Sequence, residues 1–116
     1  MRALLLLALL ASPALAEGDA ARGETAFGAC QACHSVGDEE NELGPHLKGV
    51  AGRRAGTGDY AYSPAMKASG LTWDDATLDR FLAAPQAVVP GTVMAFPGEA
   101  DAKVRADIIA FLKSRH

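Results

Sequence analysis

Two thiols and an imidazole stand within five residues, Cys30-Gln31-Ala32-Cys33-His34. Two cysteines at this spacing can add to the two vinyl groups of one planar macrocycle as thioethers. A histidine directly after the second cysteine can reach an iron at the macrocycle's centre from one face. The pattern C-x-x-C-H is the attachment signature of c-type haem. Iron held by a proximal histidine takes its character from whatever occupies the opposite face. The chemistry of this chain therefore turns on a sixth ligand.

Other uses of the pentapeptide fit less well. A thiol redox pair belongs near a βαβ pattern, and none follows here. A four-coordinate zinc needs two more ligands. With Cys30 and Cys33 the only cysteines, these would come from His34, His46, His116 or carboxylates at unusual spacing. A disulfide across two intervening residues is geometrically poor. One covalent haem c is the expected cofactor.

The start of the chain agrees with that chemistry. Met1-Arg2 is followed by the apolar run Ala3 to Ala11, then Ser12-Pro13 and Ala14-Leu15-Ala16, an A-x-A cleavage site. This reads as a secretory signal peptide over residues 1–16, cleaved to leave a domain over residues 17–116. The apolar run is too short to span a bilayer and Pro13 breaks it. Haem c is attached outside the cytoplasm in bacteria, so a periplasmic location is expected. One of the 11 basic residues, Arg2, lies in the leader, so the 14 acidic side chains leave residues 17–116 net acidic by four. No basic run suggests nucleic acid.

Helices and loops must position the site. Asp19 is placed to cap a helix through Ala20, Gly23, Phe27 and Ala29 toward Cys30. Gly23 inside it signals close approach by another backbone. Residues 37–42 form an acidic polar loop, and Gly49 to Asp59 an irregular one. Ser63-Pro64 is an N-cap followed by proline at the first helical position, opening a short helix that ends near Ser69-Gly70. Thr72-Trp73-Asp74-Asp75 resembles a capping box. Leu78, Phe81 and Leu82 line one face of the helix it opens, and Pro85 stops it. A last helix follows Pro97-Gly98, with Val104, Ile108, Phe111 and Leu112 on one stripe. No paired sheet is expected.

Candidates for the sixth ligand are Met66, Met94, His46 and His116. Met94 lies in Pro90-Gly91-Thr92-Val93-Met94, a turn without helical pattern that can carry a thioether across a haem face. Met66 sits on a short helix, where methionine usually fills core gaps. His46 follows His34 by only twelve positions and is expected at the surface. His116 is terminal. Met94 leads.

Taken together, these motifs resemble a class I c-type cytochrome of the mitochondrial cytochrome c and bacterial cytochrome c2/c-550 group. The likeness runs through Gly23 and Phe27, the haem pentapeptide, Gly44-Pro45, Gly49-Val50-Ala51-Gly52-Arg53, Tyr62-Ser63, Gly70-Leu71-Thr72-Trp73 and Thr77-Leu78. It ends with Pro90 to Phe96 and Arg105 to Leu112. The resemblance implies an all-α cytochrome c fold, three main helices plus short helices and loops around one haem. The first and last helices would cross at Gly23, with Phe27, Ile109 and Leu112 packed beside it. Cys30 and Cys33 would be the thioethers, and His34 and Met94 the axial ligands. The Pro45 carbonyl would hold the other ring N–H of His34. Arg53, Tyr62, Trp73 and Thr92 would surround the haem propionates.

Such a protein is a soluble, monomeric one-electron carrier rather than an enzyme. The resemblance implies transient partners such as a cytochrome bc1 complex, a terminal oxidase or a photosynthetic reaction centre. The alternative is a haem enzyme or gas-binding cytochrome with a labile sixth ligand. Two departures from the family stand out. Phe81 replaces a tyrosine often found near the methionine sulfur. Ala29, Gln86, Ala87 and Val93 occupy positions where eukaryotic members carry a lysine ring, with Glu99 and Asp101 nearby.

Overall fold

The computed structural model describes residues 17–116; the leader expected over residues 1–16 lies outside them. The elements in order are α1 (Ala20–Ala26), a 3-10 turn (Phe27–Cys30), α2 (Pro64–Lys67), α3 (Asp75–Ala83), α4 (Pro85–Val88) and α5 (Ala102–Lys113). Among the described residues the one β feature is an isolated antiparallel bridge between Arg54 and Thr72. None of their helices is long and apolar enough to cross a membrane.

Local chemistry sets the helix starts. The Asp19 carboxylate accepts the Arg22 N–H at the head of α1. Ser63 accepts the Met66 N–H and Pro64 opens α2. Asp74 accepts the Thr77 N–H at 2.8 Å to start α3, and Asp101 caps α5. Each cap satisfies a backbone donor that the helix itself cannot. Two expectations are corrected. The first helix tightens to 3-10 geometry at Phe27 instead of running as α-helix to Cys30. Pro85 ends α3 but also starts α4, a short helix that the sequence pattern did not announce. Proline suits the first helical position because its missing N–H has no partner there anyway.

Seven residues make a marginal helix by themselves, so α1 depends on what it packs against. That is α5. At Gly23 the two backbones meet: a Cβ there would lie 1.9 Å from the Asp107 carbonyl oxygen and 2.8 Å from the Phe111 Cβ. Phe27 and Phe111 pack with ring centroids 5.3 Å apart, and Ile108, Ile109 and Leu112 are buried alongside. The buried Asp107 carboxylate closes the end of the crossing, accepting the Asp19 N–H at 2.8 Å and the Arg22 Nε–H at 3.1 Å. Arg105 of α5 binds Asp79 of α3 at 2.8 Å in a largely buried pair, which adds α3 to the same frame.

Two outcomes follow from this crossing. Gly23→Ala forces the helices apart and lowers the unfolding free energy of the haem-loaded protein by about 3 kcal/mol, the upper range for overpacking, as read from denaturant midpoints. The Arg22 guanidinium and the Asp19 N–H hold the Asp107 carboxyl below its ordinary range. Its folded pKa thus lies below the unfolded value of about 3.9. Its stabilisation is complete above that value and disappears as pH falls through the folded pKa. Asp107→Asn lowers the melting temperature at neutral pH and flattens the loss of stability below about pH 4, measured by thermal melts across that range.

Candidate functional site

The frame encloses a cavity of about 370 Å³, a size suited to a cofactor. Its lining draws on two loop segments, a first wall of Cys30, Cys33 and His34 and a second wall of Thr92, Val93 and Met94, and on Trp73, Leu78, Phe81, Leu82, Ile108 and Leu112. All nine residues named from the sequence as haem contacts or supports line this one space: Cys30, Cys33, His34, Pro45, Arg53, Tyr62, Trp73, Thr92 and Met94.

The first wall is built by the chain turning on itself after α1. The N–H groups of Cys33 and His34 both donate to the Cys30 carbonyl, at 3.2 and 3.0 Å. The two thiols are half-buried and unbridged. Burial pushes the Cys30 thiol up, and the neighbouring Cys33 adds to the shift. His34 Nδ1 lies 2.7 Å from the Pro45 carbonyl oxygen. A carbonyl can only accept, so Nδ1 carries the proton and Nε2 is the nitrogen left for a metal. Gly44 makes room for the ring: a Cβ there would sit 2.6 Å from His34 Cε1 and 2.9 Å from Nδ1. The Gly44 N–H donates to the Cys33 carbonyl at 2.9 Å, and Leu47 to Ser35 at 2.7 Å, so the two strands of this loop are fastened together.

The second wall is a loop held from three sides. Thr92 is buried, its N–H donating to the Val89 carbonyl at 3.0 Å, and its hydroxyl accepts the Met94 N–H at 3.4 Å. Gln86 of α4 donates to the Thr92 carbonyl at 2.9 Å and the Met94 carbonyl at 3.4 Å. Beyond Met94, the Glu99 N–H donates to Leu82, and Arg105 donates to the carbonyls of Glu99 and Ala100 at 2.8 and 3.0 Å. Arg53 donates to the carbonyls of Lys48 and His46, both at 3.4 Å, and Tyr62 and Trp73 also belong to the lining.

Among the other ligand candidates, Met66 also lines the cavity, whereas His46 and His116 do not. His46 is half-buried rather than at the surface, and its Nδ1 is enclosed without a partner among the described residues. Four supports escaped sequence reasoning: Gly44, Gln86, Arg105 and Tyr60, whose hydroxyl donates to the Leu43 carbonyl at 2.7 Å. Three of the four act through backbone carbonyls, which no residue pattern reveals. The Gly44-Pro45 pair was visible as a motif, but its closeness to His34 was not.

These residues fit a haem. Two free thiols sit beside a histidine whose Nδ1 is already engaged, a methionine lines the same space, and most of the lining is apolar. Such a pocket in an all-α frame defines a c-type cytochrome. The sequence model of the family described as "Cytochrome c" matches residues 20–116. The chain is 50% identical over 105 residues to cytochrome c2 of Rhodomicrobium vannielii, covering 89% of this chain and 84% of that protein. It is 48% identical over 97 residues to cytochrome c2 of Rhodoblastus acidophilus, covering 82% of this chain and 91% of that one. The solved structure of cytochrome cH from Methylobacterium extorquens superimposes with a TM-score of 0.81 at 56% identity, covering 84% of this chain and 99% of that one. The chain belongs to the cytochrome c family, with the fold of its class I members, and carries one covalently attached haem c.

Gly44→Ala is expected to displace the His34 ring from Pro45. The variant loses about 1–3 kcal/mol of stability and its reduction potential shifts, measured by denaturant unfolding and by redox titration of the haem-loaded protein.

Proposed function

We propose that this protein is a one-electron carrier of the bacterial periplasm, in which His34 and Met94 are the axial ligands of the haem iron. The observation that carries the reading is the pair of walls. His34 and Met94 face one cavity from loops that are each fixed by several hydrogen bonds. Covalently held haem c supplies an iron that changes oxidation state by one electron.

The residues of the chain do the rest. Pro45 keeps the His34 ring in one tautomer and orientation, and makes Nε2 a better donor. Gln86, Thr92 and Arg105 keep the Met94 loop in one conformation, so little must move when the charge at the centre changes. A thioether is a soft ligand that favours the reduced state. Trp73 and Phe81, packed edge to face with centroids 4.9 Å apart, exclude water from the floor. Arg53, Tyr62, Trp73 and Thr92 would neutralise or hydrogen-bond the propionates. With both axial positions taken by protein, no open site is left for a substrate, which supports a carrier rather than a catalyst.

Residues 1–16 would direct export and be cleaved after Ala16. The relatives named cytochrome c2 support this role. The partners would be redox complexes, a cytochrome bc1 complex upstream and a terminal oxidase or reaction centre downstream, met one at a time by a monomer.

Replacing Met94 tests the reading. Met94→Ala should lower the reduction potential by a sizeable part of the ~0.8 V range that axial ligands control. It should also make the reduced protein bind carbon monoxide, which the unaltered protein does not. A potential that ignores the substitution would remove Met94 as ligand and bring Met66 forward. Ready carbon monoxide binding by the unaltered protein would favour a gas-binding or catalytic haem.

A further inference from the structure

The carbonyl that holds the His34 ring belongs to a peptide group whose other end is also engaged. The Pro45 oxygen accepts the His34 Nδ1 proton at 2.7 Å. The same peptide carries the His46 N–H, which donates to the Asn41 Oδ1 at 3.0 Å. Among the described residues no other hydrogen bond reaches either end of this peptide. The peptide is trans, so its C=O and N–H point in opposite directions, and resonance couples them. An acceptor on the N–H shifts electron density toward the oxygen, and hydrogen bonds chained in this way strengthen one another.

Asn41 is exposed, where a single hydrogen bond would compete with water. A second bond on the same amide holds it in place. Its Nδ2–H donates to the carbonyl of Asp59, 18 positions on. A carbonyl only accepts and a backbone N–H only donates, so the amide has one orientation, with Oδ1 toward His46. The chain around it is fastened separately. The Asp38 carboxylate accepts the Ser35 hydroxyl at 2.7 Å and the Glu40 N–H at 3.1 Å, which turns the backbone just before Asn41. Tyr60, next to Asp59, donates to the Leu43 carbonyl at 2.7 Å.

We propose that Asn41 is a positioning residue for the haem iron, acting through the Pro45–His46 peptide to strengthen the bond on His34 Nδ1. The proposal rests on the carrier reading above, in which His34 is an axial ligand. A stronger acceptor at Nδ1–H gives the ring more imidazolate character and makes Nε2 a better donor. The oxidised iron gains more from that donation than the reduced iron does. Asn41 thus holds the reduction potential down, against the thioether of Met94, which favours the reduced state.

The test compares two variants of the haem-loaded protein at neutral pH. Asn41→Leu removes the acceptor at similar size, and Asn41→Asp puts a stronger acceptor in the same place. Asn41→Leu should raise the potential, moving the equilibrium with a reference redox couple roughly two- to fivefold, a fraction of one hydrogen bond. It should also move the NMR resonance of the His34 Nδ1 proton upfield in the reduced protein. Asn41→Asp should shift both readouts the opposite way. A loop merely loosened by losing its bond to Asp59 would move both variants in the same direction. Glu42→Gln removes a carboxylate beside Asn41 and leaves the chain of bonds intact, so it measures the effect of charge through space; it should leave the Nδ1 resonance in place. If the two Asn41 variants shift that resonance in the same direction, or not at all, the proposal fails and the carrier reading stands. If the His34 ring protons of the unaltered reduced protein lack the upfield shift that a haem imposes on its axial ligand, His34 is not a ligand and both fail.

Discussion

The close contact between α1 and α5 at Gly23 governs the geometry of everything described above. One wall of the haem cavity follows α1, and the other precedes α5. The separation of those walls is set by how closely the two helices lie, and the absence of a side chain at Gly23 sets that closeness. Asp107 then locks the rotation of one helix on the other, because its carboxylate answers both a backbone N–H and a guanidinium from the start of α1. A polar group buried this way is tolerated because its hydrogen bonds are made. The same group left without Arg22 and Asp19 would oppose the crossing.

The cavity itself is held by an unusual division of labour. Very little of its support comes from one functional side chain bonding another. His34 is oriented by a backbone carbonyl, Met94 by a glutamine and an arginine that hold its loop through carbonyls, and the Leu43 carbonyl by Tyr60. Backbone acceptors are fixed points once the loops have folded. Side chains anchored to them inherit that rigidity. An electron carrier needs this, since atoms that shift between oxidation states add to the barrier for transfer.

Much of this was legible in the sequence, for a physical reason. Helix starts depend on one or two neighbouring residues, so Asp19 and Ser63-Pro64 could be read directly, whereas α3 is capped by Asp74 and not by the Thr72 of the expected capping box. The apolar stripe of α5 followed from helical period, though Ile109 is buried too and Val104 only half-buried, because α5 is covered from two directions. The haem pentapeptide and the nine lining residues came from motif and resemblance. What stayed hidden was non-local. Pro85 can end one helix or begin another, and only the surrounding fold decides. Gly44 looks like any loop glycine until the His34 ring is laid against it. Gln86 reads as a surface residue because its partners are carbonyls six and eight positions on.

The hydrogen bond between Asp19 and Asp107 joins residues 88 apart in the chain. Its consequence concerns the order of assembly. A chain that has not yet folded offers Cys30 and Cys33 before α5 has docked. Until α5 docks, the cavity has one wall, α1 is too short to persist, and both thiols remain open. Docking half-buries them and pushes the Cys30 thiol up, which lowers its thiolate fraction. Both thiols are thus open before α5 docks, and the finished fold is the form that half-buries them.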